Sequence, residues 1–232
     1  MATSSFENAN KIASEIAARI STLRTWKTED IRAVRREFSK RLAKEKPRLV
    51  IDVAFRLMEH PGIEHRFAAY ELVYKHAKAL ASLGAKDLQR FGRGIDSWGA
   101  VDCFACYLAG PAWRERQVSD RLIHGWTRAA DRWWRRAALV STVPLNSKAR
   151  GGRGDTPRTL EVCRILVGDR DEMVVKAMSW ALRELSKHNA KAVKEFIADH
   201  ANEIAPRVVR EVRNKLSTGL KNPRTRNPDE GR

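Results

Sequence analysis

Apolar residues recur at helical spacing along almost the whole of the 232-residue chain, strand-type alternation is nearly absent, and four short segments look alike. Together these predict an all-α fold, a HEAT-like helical-repeat solenoid with a concave basic face. The four segments are Arg66-Phe-Ala-Ala-Tyr70, Trp98-Gly-Ala-Val-Asp102, Trp134-Arg-Arg-Ala-Ala138 and Val175-Lys-Ala-Met-Ser-Trp180. Steps of 32, 36 and 40 residues separate their equivalent Ala69, Val101, Ala137 and Ala177, in or near the HEAT and armadillo range. Small residues at matching points let neighbouring helices approach closely.

The elements follow in order from caps and breakers. An amphipathic helix covers residues 5–21. Thr28 reads as the cap of a second, whose Ile31, Val34, Phe38 and Leu42 line one face. Pro47 opens a third through Met58 at the position where proline costs nothing, and His60-Pro61-Gly62 breaks it. One long helix is predicted from Glu64 to Ser82, with Phe67, Tyr70, Tyr74, Ala77 and Ala81 as its stripe, then a short one over 85–91. Ser97 reads as the cap of a helix to Ala109, ended by Gly110-Pro111. Shorter helices follow at 112–117, 120–130 and 132–143. The span Leu145–Asp155 reads as irregular, and Thr156-Pro157 restarts helix to Val167. Helices over 171–187, 190–200 and 202–216 complete a single domain of residues 1–216. Residues 217–232 are expected to form a disordered polar and basic tail.

Charge narrows the function classes. There are 45 Lys and Arg against 28 Asp and Glu, a net +17, which marks a polyanion, nucleic acid first, as the partner. The excess is local: +6 over 31–48, +4 over 121–136 and +3 over 144–158. Solvated helix faces are the bland alternative. No run of about 18 uncharged apolar residues is present, so no membrane-spanning helix is expected. Three cysteines make no paired framework, and the N-terminal segment, with Glu7 and Glu15, fits no signal peptide. A cytoplasmic, bacterial-type monomer, nucleoid-associated when bound to DNA, is the expectation.

Among the motifs, Ser97-Trp98-Gly-Ala-Val-Asp102 stands out. Trp98 and Asp102 are four apart and share a helical face. An acid within Val101-Asp102-Cys103-Phe104 is awkward unless it faces a cleft or pairs with an arginine, and both readings stand. With Trp133-Trp-Arg-Arg-Ala-Ala138 and Lys176-Ala-Met-Ser-Trp-Ala-Leu-Arg-Glu184, in this order and spacing, the chain resembles the AlkD-type DNA alkylation repair glycosylases, built from HEAT-like repeats. The resemblance is strongest over residues 66–216. It implies Asp102 as the catalytic acid, Trp98 and Trp180 flanking the lesion nucleotide, Arg136 holding the site, and Arg183 contacting DNA.

The activity so implied is excision of cationic N3- or N7-alkylated purines from duplex DNA in base-excision repair, with no cofactor. Arg135, Lys148, Arg150 and Arg153 are further expected DNA contacts, from their place in the basic runs. Two departures from the family are visible: one helix, not two, precedes the Thr28 helix, and the basic stretch 145–158 is longer, with Pro144 where a cleft-lining Lys can occur. The competing class is a non-catalytic DNA-binding HEAT-repeat protein recognising damaged, bent or branched DNA. A protein-binding scaffold needs no such basicity.

Other constellations carry less. Cys103-Phe-Ala-Cys106 lacks a second ligand pair, the six histidines form no HExxH, and Gly151-Gly-Arg-Gly154 lacks the GK[ST] of a P-loop, so no metal site is expected. Trp26, Trp113, Trp126 and Trp133 read as core or helix-contact residues.

Overall fold

A computed structural model describes residues 2–223, with nothing described for the side chains of residues 2–6. Every regular element among the described residues is helical, and the all-α prediction holds. The chain groups into two compact units, Met1–Leu122 and Ile123–Arg232.

The first unit contains α1 (Ala2–Ser21), α2 (Thr28–Leu42), α3 (Pro47–Leu57), α4 (Ile63–Tyr74), α5 (Ala77–Ala81), α6 (Ala85–Gly92), α7 (Trp98–Phe104) and α8 (Gly110–Arg114). The strongly apolar α3 is at its centre, with Leu49, Val50, Ile51, Val53, Ala54, Phe55 and Leu57 all buried. It packs against α1, which contributes Ile12, Ile16 and Ile20, and against α4. Transferring each such aliphatic side chain from water stabilises the fold by about 1.5–3 kcal/mol. The division between units falls within α9 (Asp120–Thr127).

In the second unit α13 (Glu172–Leu185) is central, packed on α10 (Arg132–Ser141), α11 (Val143–Asn146), α12 (Thr156–Ile165), α14 (Ala190–Asp199) and α15 (Pro206–Thr218). Val174, Ala177, Met178, Ala181, Leu182 and Leu185 form its buried stripe. Side chains cap these helices: Asp171 accepts from Met173 N at 2.8 Å, Asp155 from Arg158 N at 3.1 Å and Asn189 from Ala192 N at 3.0 Å. The four look-alike segments fall on α4, α7, α10 and α13, two in each unit.

Several boundaries differ from the sequence reading. The predicted helix 64–82 is two helices. At His76 the backbone turns out to φ −106° and ψ 95°, and the imidazole Nδ1 accepts from Ala79 N to cap α5. Gly110-Pro111 ends nothing. One π turn, Ala105–Ala109, widens the helix so that Gly110 N bonds to Ala105 O, and the chain continues as α8. This accommodates a proline ring that lacks an N–H and would crowd a normal turn. The last helix begins at Pro206 rather than Asn202, with proline in the first turn. It runs to Thr218, into the start of the expected tail, whose residues 224–232 lie outside those described.

Thr28 is the first residue of α2, and Lys27 precedes it without a side-chain cap. The hydroxyl that secures this turn is Thr25, which donates to Asp30 at 2.7 Å. Trp113 and Trp126 are buried as expected, but Trp26 in the α1–α2 loop is 66 % exposed. That short loop places the indole outside the packed helices.

Candidate functional site

In the first unit the site is built on the first turn of α7. Arg66 of α4 secures the approach to it, donating through Nη2 to Arg93 O at 2.9 Å and through Nη1 to the Tyr70 hydroxyl at 3.1 Å. Tyr70 in turn donates to Phe91 O at 2.9 Å, and burial, opposed by Arg66, pushes its phenol up to about 12. Ser97 enters α7 with extended backbone. Its carbonyl accepts from Val101 N at 3.1 Å, while its hydroxyl makes no capping bond. Ala100, Val101 and Phe104 face the core, which turns the opposite side of the helix outward. Trp98 is 62 % exposed, and Asp102, one turn later on the same face, is half-buried.

In the second unit Trp180 is half-buried on α13, and its neighbours are organised by hydrogen bonds. Ser179, fully buried, donates to Glu211 at 2.6 Å, and its oxygen accepts from Arg183 Nε at 3.2 Å. Glu211 also pairs with Arg207 at 2.9 Å and Lys221 at 3.5 Å. Burial alone would raise the Glu211 carboxyl, but the bonds from Ser179 and Arg207 and the nearby cations hold it below the usual range. The Arg183 guanidinium is held by its Nε alone among the described residues, and burial lowers it from its ordinary value. A desolvated cation with its outer nitrogens uncommitted is suited to a phosphate.

Arg136 is 5 % exposed, and its Nη1 donates to Met173 O at 2.6 Å, tying α10 to α13. Arg135 pairs with Asp169 at 2.7 Å and donates to the carbonyls of Ala129 and Ala130. Both make bonds within this unit.

The stretch read as irregular, 145–155, is tightly organised. It contains the end of α11 and a 3-10 turn, Lys148–Arg150. Asn146, fully buried, donates to Thr142 O at 3.0 Å and Thr159 Oγ1 at 2.8 Å and accepts from Asp155 N at 2.9 Å. Its own carbonyl lies 2.5 Å from His188 Nε2. Gly152 is buried against it, so close that a Cβ there would lie 2.7 Å from backbone atoms of Leu145 and Asn146. Lys148 and Arg153 stand out exposed from this fixed base, with Arg150 half-buried between them.

Not every cation in the basic runs is available to a ligand. Over 31–48, Arg32 and Arg35 converge on buried Glu71 at 2.8 and 3.2 Å, Arg41 pairs with Glu15, and Arg48 pairs with Asp52. Arg36, Lys40, Lys44 and Lys46 form no ion pair among the described residues, and the same holds for Lys148 and Arg153; Arg183 forms none either, though Glu211 and Glu184 act on it through space. No group of three His, Cys, Asp or Glu among the described residues is placed to hold a metal ion, and no described helix is long and apolar enough to cross a membrane. Cys106 and Cys163 are buried, and burial pushes the Cys163 thiol up to about 12.

The sequence reading missed Ser179, Glu211 and Asn146, since only the fold brings residues so far apart in the chain together. A family model described as DNA alkylation repair enzyme matches residues 7–216. No curated protein matches the chain.

Proposed function

The chain belongs to the DNA alkylation repair enzyme family, and from that membership we propose that it is a DNA glycosylase that releases cationic N3- or N7-alkylated purines from duplex DNA. The observation that carries the proposal is the outward face of α7: an exposed indole, Trp98, followed one turn later by the half-buried carboxylate of Asp102.

Alkylation at N7 or N3 leaves the purine positively charged, so the base is already a good leaving group. The C1′–N9 bond breaks with its electron pair going to the base, which becomes neutral, and positive charge develops on the sugar. A carboxylate close to C1′ stabilises that charge and orients the water whose oxygen then bonds to C1′ as a proton leaves it. The Trp98 face attracts a cationic base or sugar and excludes solvent. In the second unit the half-buried Trp180 is the aromatic residue we assign to the lesion nucleotide. Lys148, Arg153 and Arg183 take the phosphates; the bonded Arg135 and Arg136 and the half-buried Arg150 shape what holds them.

The test is base release from a duplex containing N7-methylguanine. Wild type releases the base and Asp102→Asn does not, while both bind the duplex. Release by neither, with binding intact, replaces the enzyme by a DNA-binding module. Equal release by both removes Asp102 from the mechanism.

A further inference from the structure

The N-terminal turn of α4 is inside out. Ile63, the first residue of the helix, is 50 % exposed, whereas the polar residues after it, Glu64 and His65, are 7 % and 6 % exposed. Ordinary burial puts the isoleucine in and the carboxylate and imidazole out. Three local features enforce the reversal. Gly62 takes φ +102°, a conformation that side chains other than glycine rarely adopt. Its missing Cβ leaves room for the Glu64 carboxylate, whose Oε1 would otherwise lie 2.0 Å from it. His65 is then held by its Nδ1 against Pro61 O at 2.6 Å and lies 3.5 Å from Glu64.

The outward isoleucine does not point into empty solvent. Its Cδ1 rests over Gly99, at 3.2 Å from where a Cβ on that residue would be. Gly99 comes directly after Trp98 and lies three residues before Asp102, so on the surface of α7 it borders both. A Cβ at 99 would be closer than ordinary contact and would push the tip of the Ile63 side chain aside by a few tenths of an ångström. Ile63 and Trp98 thus make one exposed apolar patch at the edge of the Asp102 carboxylate, assembled from α4 and α7 within a single unit.

We propose that Ile63 is a substrate-contacting residue, packing against the apolar face of the deoxyribose at the damaged nucleotide and excluding water from the side of the sugar that Trp98 leaves open. This inference rests on the placing of the lesion at Trp98 and Asp102. Two exposed side chains, Ile63 and Trp98, are too few for a protein interface but enough to cover one sugar. The Asp102 carboxylate beside it also suits a centre on which positive charge develops.

The test compares binding to two duplexes of one sequence, intact or with a central tetrahydrofuran abasic analogue, which has the sugar but no base. Ile63→Ser, at an exposed position, retains the melting temperature and lowers the preference for the abasic duplex by about fivefold, the equivalent of half-burying one aliphatic side chain. Ile63→Leu retains the preference. Gly99→Ala, which shifts the tip of Ile63 by a few tenths of an ångström without removing it, lowers the preference by less than Ile63→Ser does while leaving α7 folded. An unchanged preference in Ile63→Ser, equal weakening on both duplexes, or no preference in the wild type each overturns the contact. Base release from the N7-methylguanine duplex is read separately: a wild type that prefers the abasic duplex through Ile63 but releases nothing refutes the glycosylase reading and leaves the contact standing.

Discussion

Replacing Gly152 with alanine tests whether the basic stretch 145–155 is a fixed structure. The added Cβ would sit 2.7 Å from the carbonyl carbon of Leu145 and from the amide nitrogen and carbonyl carbon of Asn146. Ordinary contact starts about 0.7 Å further out, and the obstacle is backbone. That backbone cannot yield easily, because Asn146 is held by Thr142, Thr159, Asp155 and His188 at once. Overpacking of this kind costs about 1–3 kcal/mol, and the restriction that alanine places on the unfolded chain returns about 0.4–1 kcal/mol. A net loss of about 1–2 kcal/mol lowers the melting temperature by roughly 2–8 °C in a chain of this size. Calorimetry measures it, and duplex affinity falls in parallel as Lys148 and Arg153 lose their common base. Gly168→Ala, where nothing lies within 4 Å, is the control. A Gly152→Ala protein that melts with the wild type would refute the argument and make the stretch a loose loop.

Three more expectations concern the second unit. Arg183→Ala reduces the slope of log affinity against log salt by about one, the loss of a single phosphate contact; an unaltered slope makes Arg183 structural. Glu211 has a depressed folded-state carboxyl, so its stabilisation is complete above the ordinary value of about 4.3 and is lost as pH falls through the lower folded value. The stability difference between wild type and Glu211→Gln is therefore constant near neutrality and shrinks below about pH 4, as thermal melts across that range will show; a difference independent of pH defeats this reading. Cys163, buried with its thiol pushed up to about 12, resists thiol reagents at pH 8 in the folded protein and reacts on unfolding, and rapid labelling under native conditions would contradict its burial.

Helix content was legible because it depends on local pattern. The Ile31, Val34, Phe38 and Leu42 stripe gives α2 nearly residue for residue, and the same holds for α13. The features that escaped depend on distant partners. Nothing in Tyr74-Lys75-His76 marks a break; an imidazole acting as a cap is a rare device. Gly110-Pro111 carries the usual stop signal, yet a single π turn absorbs it. The site divides the same way. Motif and helical spacing put Trp98 and Asp102 on one face of a helix, whereas the outward turn of Ile63 depends on the backbone at Gly62, and its rest over Gly99 on a residue 36 positions beyond Ile63. The basic runs misled in part. Charge counts in the sequence do not reveal that Glu71 takes up Arg32 and Arg35, or that Met173 O holds Arg136.

The π turn at Ala105–Ala109 also sets the angular phase of the helix beyond it. Asp102 and Trp113 are eleven residues apart. In an uninterrupted α-helix that is three turns and about 20°, which would stack the indole on the same side as the acid. The widened turn takes in one extra residue and rotates all later residues of the rod by about 100°. Trp113 is thereby directed into the core, where it is fully buried and donates to Asp120 at 2.7 Å, while Asp102 keeps its outward bearing. Deleting one residue between 105 and 109 would undo that rotation and force a choice between a seated tryptophan and an accessible acid. The irregular turn lets one continuous helical rod serve the core at one end and the solvent-facing surface at the other.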